Sequence, residues 1–124
     1  ETPFSIIPWD LDASWGRDWD SQPLLPIRVI SDDNKLFERL LALSPDNFTT
    51  RLKTRWNNLR TNFATINNMN LHLNNQFEQL MRTDVIELEN ARWGQGIDMY
   101  SERAFIQNWL VDQFNIVDAH FNDL

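Results

Sequence analysis

From Phe48 to Ile66 the apolar residues Phe48, Leu52, Trp56, Leu59, Phe63 and Ile66 recur at spacings of three and four. That is the repeat of one face of an α-helix, and a strand, with its period of two, cannot bring those positions together. The spacing predicts one continuous amphipathic helix, opened by Ser44-Pro45-Asp46 as an N-cap followed by proline at the first helical position. The same periodicity extends to either side. Leu36, Phe37, Leu40, Leu41 and Leu43 predict a short helix capped by Asp32 or Asp33. A third helical stretch runs from about Met69 to Trp93, with Leu73, Phe77, Leu80, Met81, Val85 and Leu88 on its apolar side. Thr83-Asp84 leaves open its division into two, and Gly94 is the natural C-cap. Ser101 is read as the cap of a last helix whose buried face carries Phe105, Trp109, Leu110, Phe114, Val117 and Phe121. Three glycines and five prolines in 124 residues also argue against a turn-rich β-sandwich.

Upstream of the helices the pattern differs. Phe4, Ile6 and Ile7, ended by Pro8, predict a short strand. Residues 10–33 have little periodicity and read as a long loop, a feature that in compact domains is usually functional or mobile. The expected fold is therefore mainly α: four to five helices with a short N-terminal strand and a long acidic loop. Residues 1–124 form a single domain's worth of chain, divided into 1–33 (strand and loop) and 34–124 (helical subdomain). The chain opens at "ETPFSIIPW" without Met and is read as an excised piece of a longer protein, its targeting signal lying upstream.

Charge narrows the function. The net charge of −7 is concentrated at the front, where residues 1–33 carry seven acidic and two basic side chains. Such a segment repels phosphate backbones, so no nucleic-acid partner is expected, but it attracts divalent cations. The absence of cysteine excludes disulfides, thiolate catalysis and Cys-based zinc sites. No apolar run reaches the roughly 18–20 residues of a membrane span. His72 and His120 lack any His-x-x-x-His or Glu-x-x-His companion and are read as ordinary helix residues. No Gly-x-Ser-x-Gly elbow, Walker loop or Rossmann glycine loop is present.

The stretch Ile6–Asp20, "IIPWDLDASWGRDWD", is where chemistry would lie. It interleaves Asp10, Asp12, Asp18 and Asp20 with Trp9, Trp15 and Trp19. Carboxylates two residues apart on an irregular loop can converge on one hard cation, since Mg²⁺ and Ca²⁺ prefer oxygen ligands. An EF-hand is excluded, because Gly16 falls at the seventh loop position and Ser21 stands where a bidentate glutamate is required. Asp-Leu-Asp also resembles the metal motif of nucleotide-sugar glycosyltransferases, but no parallel α/β context accompanies it. The opposing reading is that these aspartates cap turns and helices while the tryptophans pack. Trp56, Trp93 and Trp109 lie on helical apolar faces and are read as core. Trp9, Trp15 and Trp19 suit either packing under the loop or stacking on a sugar or base.

"FSIIPWDLDASWG" resembles the signature of the CotH family, the spore-coat kinase-like proteins, through Pro8, Trp9, Asp10, Leu11, Asp12 and Gly16. The downstream helical layout is similar too, so the resemblance covers essentially the whole chain, as the C-terminal part of the family's domain. It implies an atypical protein kinase transferring phosphoryl groups from ATP, with Mg²⁺, to Ser or Thr of a protein substrate. On that basis Asp10 takes the part of the kinase metal aspartate, Asp12 is a second ligand or brace, and Phe4 falls where an aromatic residue stacks on the nucleotide base. Asp18 and Asp20 receive no role. Kinase chemistry also requires a lysine on the phosphates and a catalytic aspartate. In the family these precede Pro-Trp-Asp, and Lys35 and Lys53 both follow it. No catalytic residue is therefore expected within this chain. Alone it should be inactive and bind metal weakly, in roughly the millimolar range of sparse oxygen sites. Its expected partners are the missing N-terminal lobe of the same chain and the substrate protein; it is expected to be a monomer from a secreted or cell-surface bacterial protein. The rival reading is a non-catalytic helical binding or structural domain whose acidic Trp-rich loop contacts a partner or glycan.

Overall fold

The computed structural model describes residues 15–18, 20, 22–24, 34–94, 96 and 98–124. Five α-helices account for most of them: α1 (Lys35–Leu43), α2 (Phe48–Asn62), α3 (Ile66–Met81), α4 (Val85–Trp93) and α5 (Met99–Asp123), with a 3-10 turn, Pro45–Asn47, between α1 and α2. The mainly helical architecture read from the periodicity is the one observed. The N-terminal strand expected at residues 4–7 lies outside the described residues.

The 25-residue α5 is the spine. It packs against α3 and α2, while α4 rests on α3 and α1 on α2. Phe77 of α3 and Leu110, Val117 and Phe121 of α5 form the buried core. Trp56 of α2 stacks on Phe121, with ring centroids 5.2 Å apart and planes 24° from parallel, and leans on Phe114 at 5.8 Å. At the other end of α5, Phe77 meets Tyr100 edge-on at 5.2 Å and carries the Arg103 guanidinium over its face at 4.3 Å.

Charged groups fasten α2 to α5. Asp118 accepts hydrogen bonds from Trp56 Nε1 at 2.9 Å and from Arg60, with which it also pairs ionically. Lys53 donates to the Asn122 carbonyl at 2.7 Å, satisfying one of the orphan acceptors at the C-terminus of α5. Of the basic residues of α2, Lys53 and Arg60 make tertiary contacts, whereas Arg51 and Arg55 are exposed.

Helix ends depart from the sequence reading in four places. The apolar stripe from Phe48 does not run through to Ile66. Thr61 bonds the Asn57 carbonyl at 2.7 Å and Asn62 the Asn58 carbonyl at 3.0 Å, and α2 stops there. Thr65 then caps α3 by accepting from the Asn68 amide at 3.1 Å, and Phe63, left in the joint, is 71% exposed. Local capping by Thr and Asn overrides hydrophobic spacing because the short polar side chains compete for the same backbone groups. The cap of α1 is Asn34, whose Oδ1 accepts from the Phe37 amide, rather than Asp32 or Asp33. The cap of α5 is Asp98: its Oδ1 accepts from the amides of Tyr100 and Ser101, and Ser101 Oγ donates to its Oδ2 at 2.7 Å. A carboxylate at the positive helix end outcompetes the serine, which becomes its buttress. Finally, the helix that opens at Pro45 after Ser44 is only the 3-10 turn Pro45–Asn47, with no side-chain cap hydrogen bond, and not the start of α2. Ser44, Asp46 and Asn47 all have positive φ, so α2 begins only at Phe48, and Ser44 Oγ accepts from the Thr49 amide.

The third helical stretch is divided at Arg82–Asp84 into α3 and α4, and Gly94 closes α4 with φ +65° and its amide on the Asn90 carbonyl. Trp93, read as core, is 62% exposed, as is Leu88 at 66%. Both lie on α4, whose main packing partner among the described residues is α3, and both are left largely uncovered there.

Candidate functional site

The three residues singled out by sequence, Phe4, Asp10 and Asp12, lie outside the described residues. The described part of this region is the turn that follows them. Arg17 and Pro23 form an antiparallel bridge, and the Leu24 amide donates to the Gly16 carbonyl at 2.7 Å. The Asp18 amide donates to the Gln22 carbonyl at 3.0 Å, closing the tip.

Asp18 and Asp20 serve this turn. Asp18 Oδ1 accepts from the Gln22 amide at 2.8 Å and the Asp20 amide at 3.2 Å, and Asp20 Oδ1 accepts from the Gln22 amide at 3.2 Å. The hydrogen bond between the two carboxyls sets their acidities in opposite directions. It lowers Asp18, helped by the backbone donors, and raises Asp20. Short carboxylates that bind nearby amides are the usual furniture of a turn. The capping interpretation therefore accounts for these two aspartates.

α5 holds the turn in place through three side chains on one face, Glu102, Phe105 and Trp109. Arg17 donates from Nε to Glu102 Oε2 at 2.8 Å and from Nη2 to Oε1 at 2.7 Å, a two-pronged contact. The same guanidinium lies over the Phe105 ring, 4.3 Å from its centroid. Gly16, buried and with φ +85°, sits against Trp109 so closely that a Cβ would fall 2.6 Å from the indole carbons Cδ1 and Cγ. Trp109 Nε1 is buried without a hydrogen-bond partner among the described residues. Trp15, next to the glycine, is half exposed.

The sequence marks Gly16 but carries no mark of Arg17, Glu102 or Trp109 as supports of the loop. No local signal links residues 85 positions apart; only the fact that Glu102, Phe105 and Trp109 share a helical face at spacings of three and four was available. Among the described residues, no group of three or more His, Asp or Glu side chains converges as a metal-binding cluster. None of the described helices is long and apolar enough to cross a membrane.

The loop signature, its glycine and the helices that follow occur together in one family pattern. A family model described as CotH kinase protein matches residues 1–113. The chain belongs to the CotH kinase protein family. The match takes in the acidic stretch, the turn at residues 15–24, and α1 through the greater part of α5, so the α5 platform is inside the family's domain. No curated protein and no solved structure matches the chain.

Proposed function

We propose that this CotH-family chain forms the metal-binding wall of an atypical protein kinase, with Asp10 and Asp12 as the ligands of Mg²⁺ and Phe4 against the base of ATP. The observation carrying the reading is the family match over residues 1–113, within which Pro8-Trp9-Asp10-Leu11-Asp12 places two carboxylates two residues apart. Two carboxylates two residues apart are a donor set that suits Mg²⁺, which takes one or two protein carboxylates and completes its shell with water and phosphate oxygens. Bound there, the ion would neutralise phosphate charge, the main requirement of phosphoryl transfer to a Ser or Thr hydroxyl.

The chain's own residues also limit the proposal. Lys35 pairs with Glu38 on α1, and Lys53 is engaged at the end of α5. Both follow the Pro-Trp-Asp stretch, whereas the phosphate lysine of the family reading precedes it, so this chain by itself should bind nucleotide weakly and transfer nothing. The working kinase uses further residues outside this chain, acts on a protein substrate, and belongs at a bacterial spore coat or cell surface. The test is an NMR titration of the chain with Mg²⁺ and ATP beside the Asp10→Ala variant. The expected result is shifts concentrated at residues 4–20 and lost in the variant. Shifts of equal size in Asp10→Ala would remove Asp10 from the site.

A further inference from the structure

Arg51 and Arg55 lie one turn apart on α2, exposed, and neither makes an ion pair or hydrogen bond among the described residues. The other two basic side chains of the helix are occupied, Lys53 by the Asn122 carbonyl and Arg60 by Asp118. The chain carries 18 acidic side chains against 11 basic ones, so two adjacent guanidiniums left unneutralised stand out against its charge. They line an open groove of about 600 Å³ together with Phe48, Leu52, Thr54 and Asn58.

Helical spacing arranges these residues in parallel rows. Phe48 and Leu52 form a half-buried apolar row, Arg51 and Arg55 a basic row beside it, and Thr54 and Asn58 add neutral donors along the basic edge. We propose that this groove docks an extended acidic segment of a partner protein, with carboxylates at alternate positions seated on Arg51 and Arg55. The spacing supports that occupant. Side chains four apart on a helix lie about 6 Å from one another, and alternate side chains of an extended chain repeat at about 6.6 Å. Guanidinium groups grip carboxylates by two parallel hydrogen bonds, which favours acidic side chains over a diffuse negative surface. A nucleic acid fits poorly, since two cations release few counterions. The proposal stands apart from the phosphoryl-transfer reading, because it needs neither metal nor nucleotide.

Fluorescence anisotropy of the 124-residue chain with a labelled peptide of alternating aspartate and leucine tests it, without Mg²⁺ or ATP. The expected result is saturable binding that weakens about tenfold or more when Arg51→Ala and Arg55→Ala are combined, as for loss of close charge pairs at an interface. Arg82→Ala, which removes a guanidinium paired with Glu78 on α3, should leave the affinity unchanged. The charge-reversed pair Arg51→Glu with Arg55→Glu should instead take up the lysine–leucine counterpart of the peptide. Absence of binding, undiminished affinity in the double alanine variant, or equal affinity for a peptide with its aspartates in one block would each overturn the proposal. So would displacement of the peptide by inorganic phosphate at equal concentration, which would mark the pair as a general anion site.

Discussion

Gly16 lies against the face of Trp109, at a separation where a methyl group in place of its hydrogen would stand 2.6 Å from the indole ring. One residue further on, Arg17 grips Glu102 on the same helix, two turns from Trp109. The turn after the acidic stretch is therefore docked on α5 by both shape and charge.

Gly16→Ala should destabilise the chain for two reasons, the left-handed φ of +85° and the overlap with Trp109. A cost of about 2–4 kcal/mol is expected from strain at a positive φ combined with overpacking. Urea denaturation measures it. Combining Gly16→Ala with Trp109→Val should cost clearly less than the two single changes added together, because the shorter side chain vacates the contested space. Strict additivity would mean that Gly16 and Trp109 do not meet.

The Arg17–Glu102 pair should be worth more than an ordinary surface ion pair but not much more. The two side chains are 29% and 36% exposed, so solvent screens them, yet the contact is two-pronged and the guanidinium also lies on Phe105. Arg17→Lys keeps the charge and loses both the fork and the stacking; a loss of about 1 kcal/mol is expected. Glu102→Gln measured alone and with Arg17→Lys completes a double-mutant cycle. A coupling indistinguishable from zero would show that the pair does not hold the turn.

Acid should loosen the α2–α5 seam at Asp118. Partial burial pushes this carboxyl up, but hydrogen bonds from Arg60 and Trp56 and the Arg60 charge outweigh it, leaving it below its ordinary value of 3.8. A folded-state value lower than the unfolded one contributes stability that is complete above the unfolded value and is lost as pH falls through the folded one. Asp118→Asn should therefore flatten the decline in stability below about pH 4 while also lowering stability near neutrality. Unfolding followed from acid to neutral pH would show it. A decline as steep in the variant as in the parent would assign the acid sensitivity elsewhere, Asp98 being the next candidate, since Ser101 and nearby amides lower it too.

Core positions should separate sharply from exposed apolar ones. Phe121 is 7% exposed and stacked on Trp56, and Phe121→Ala should cost about 3–5 kcal/mol, a large share of a small domain's stability. Leu88→Ala, at a position 66% exposed, should change stability by less than about 0.5 kcal/mol. A large loss on Leu88→Ala would mean that α4 is covered in solution, by a second copy or another partner.

Much of this fold was legible before any coordinates. The faces of α2 and α5, the C-cap at Gly94 and the helical class all follow from spacing and glycine chemistry, which act over one or two turns. Misread ends share a cause: at Asn34, Thr65 and Asp98 several polar residues compete to cap within a few positions, and the winner depends on geometry that composition does not encode. The candidate site divides differently. The carboxylates proposed to bind metal, Asp10 and Asp12, are a sequence pattern, Asp18 and Asp20 are explained by the turn's own hydrogen bonds, and the supports on α5 could not be read from any window of the chain.

By itself, then, the sequence determined the helices, the concentration of acidic charge at the front of the chain and membership of the CotH family, because periodicity, charge density and motif are properties of neighbours along the chain. Only the tertiary structure decided which charges are spent and which are left over. Lys53, Arg60 and Arg17 are absorbed by Asn122, Asp118 and Glu102, partners 58 to 85 positions away, while Arg51 and Arg55 on the same helix stay open to solvent. The reason is that an ion pair requires two groups within a few ångströms, and separation in space is fixed by how α2 and the turn pack on α5, not by separation in sequence.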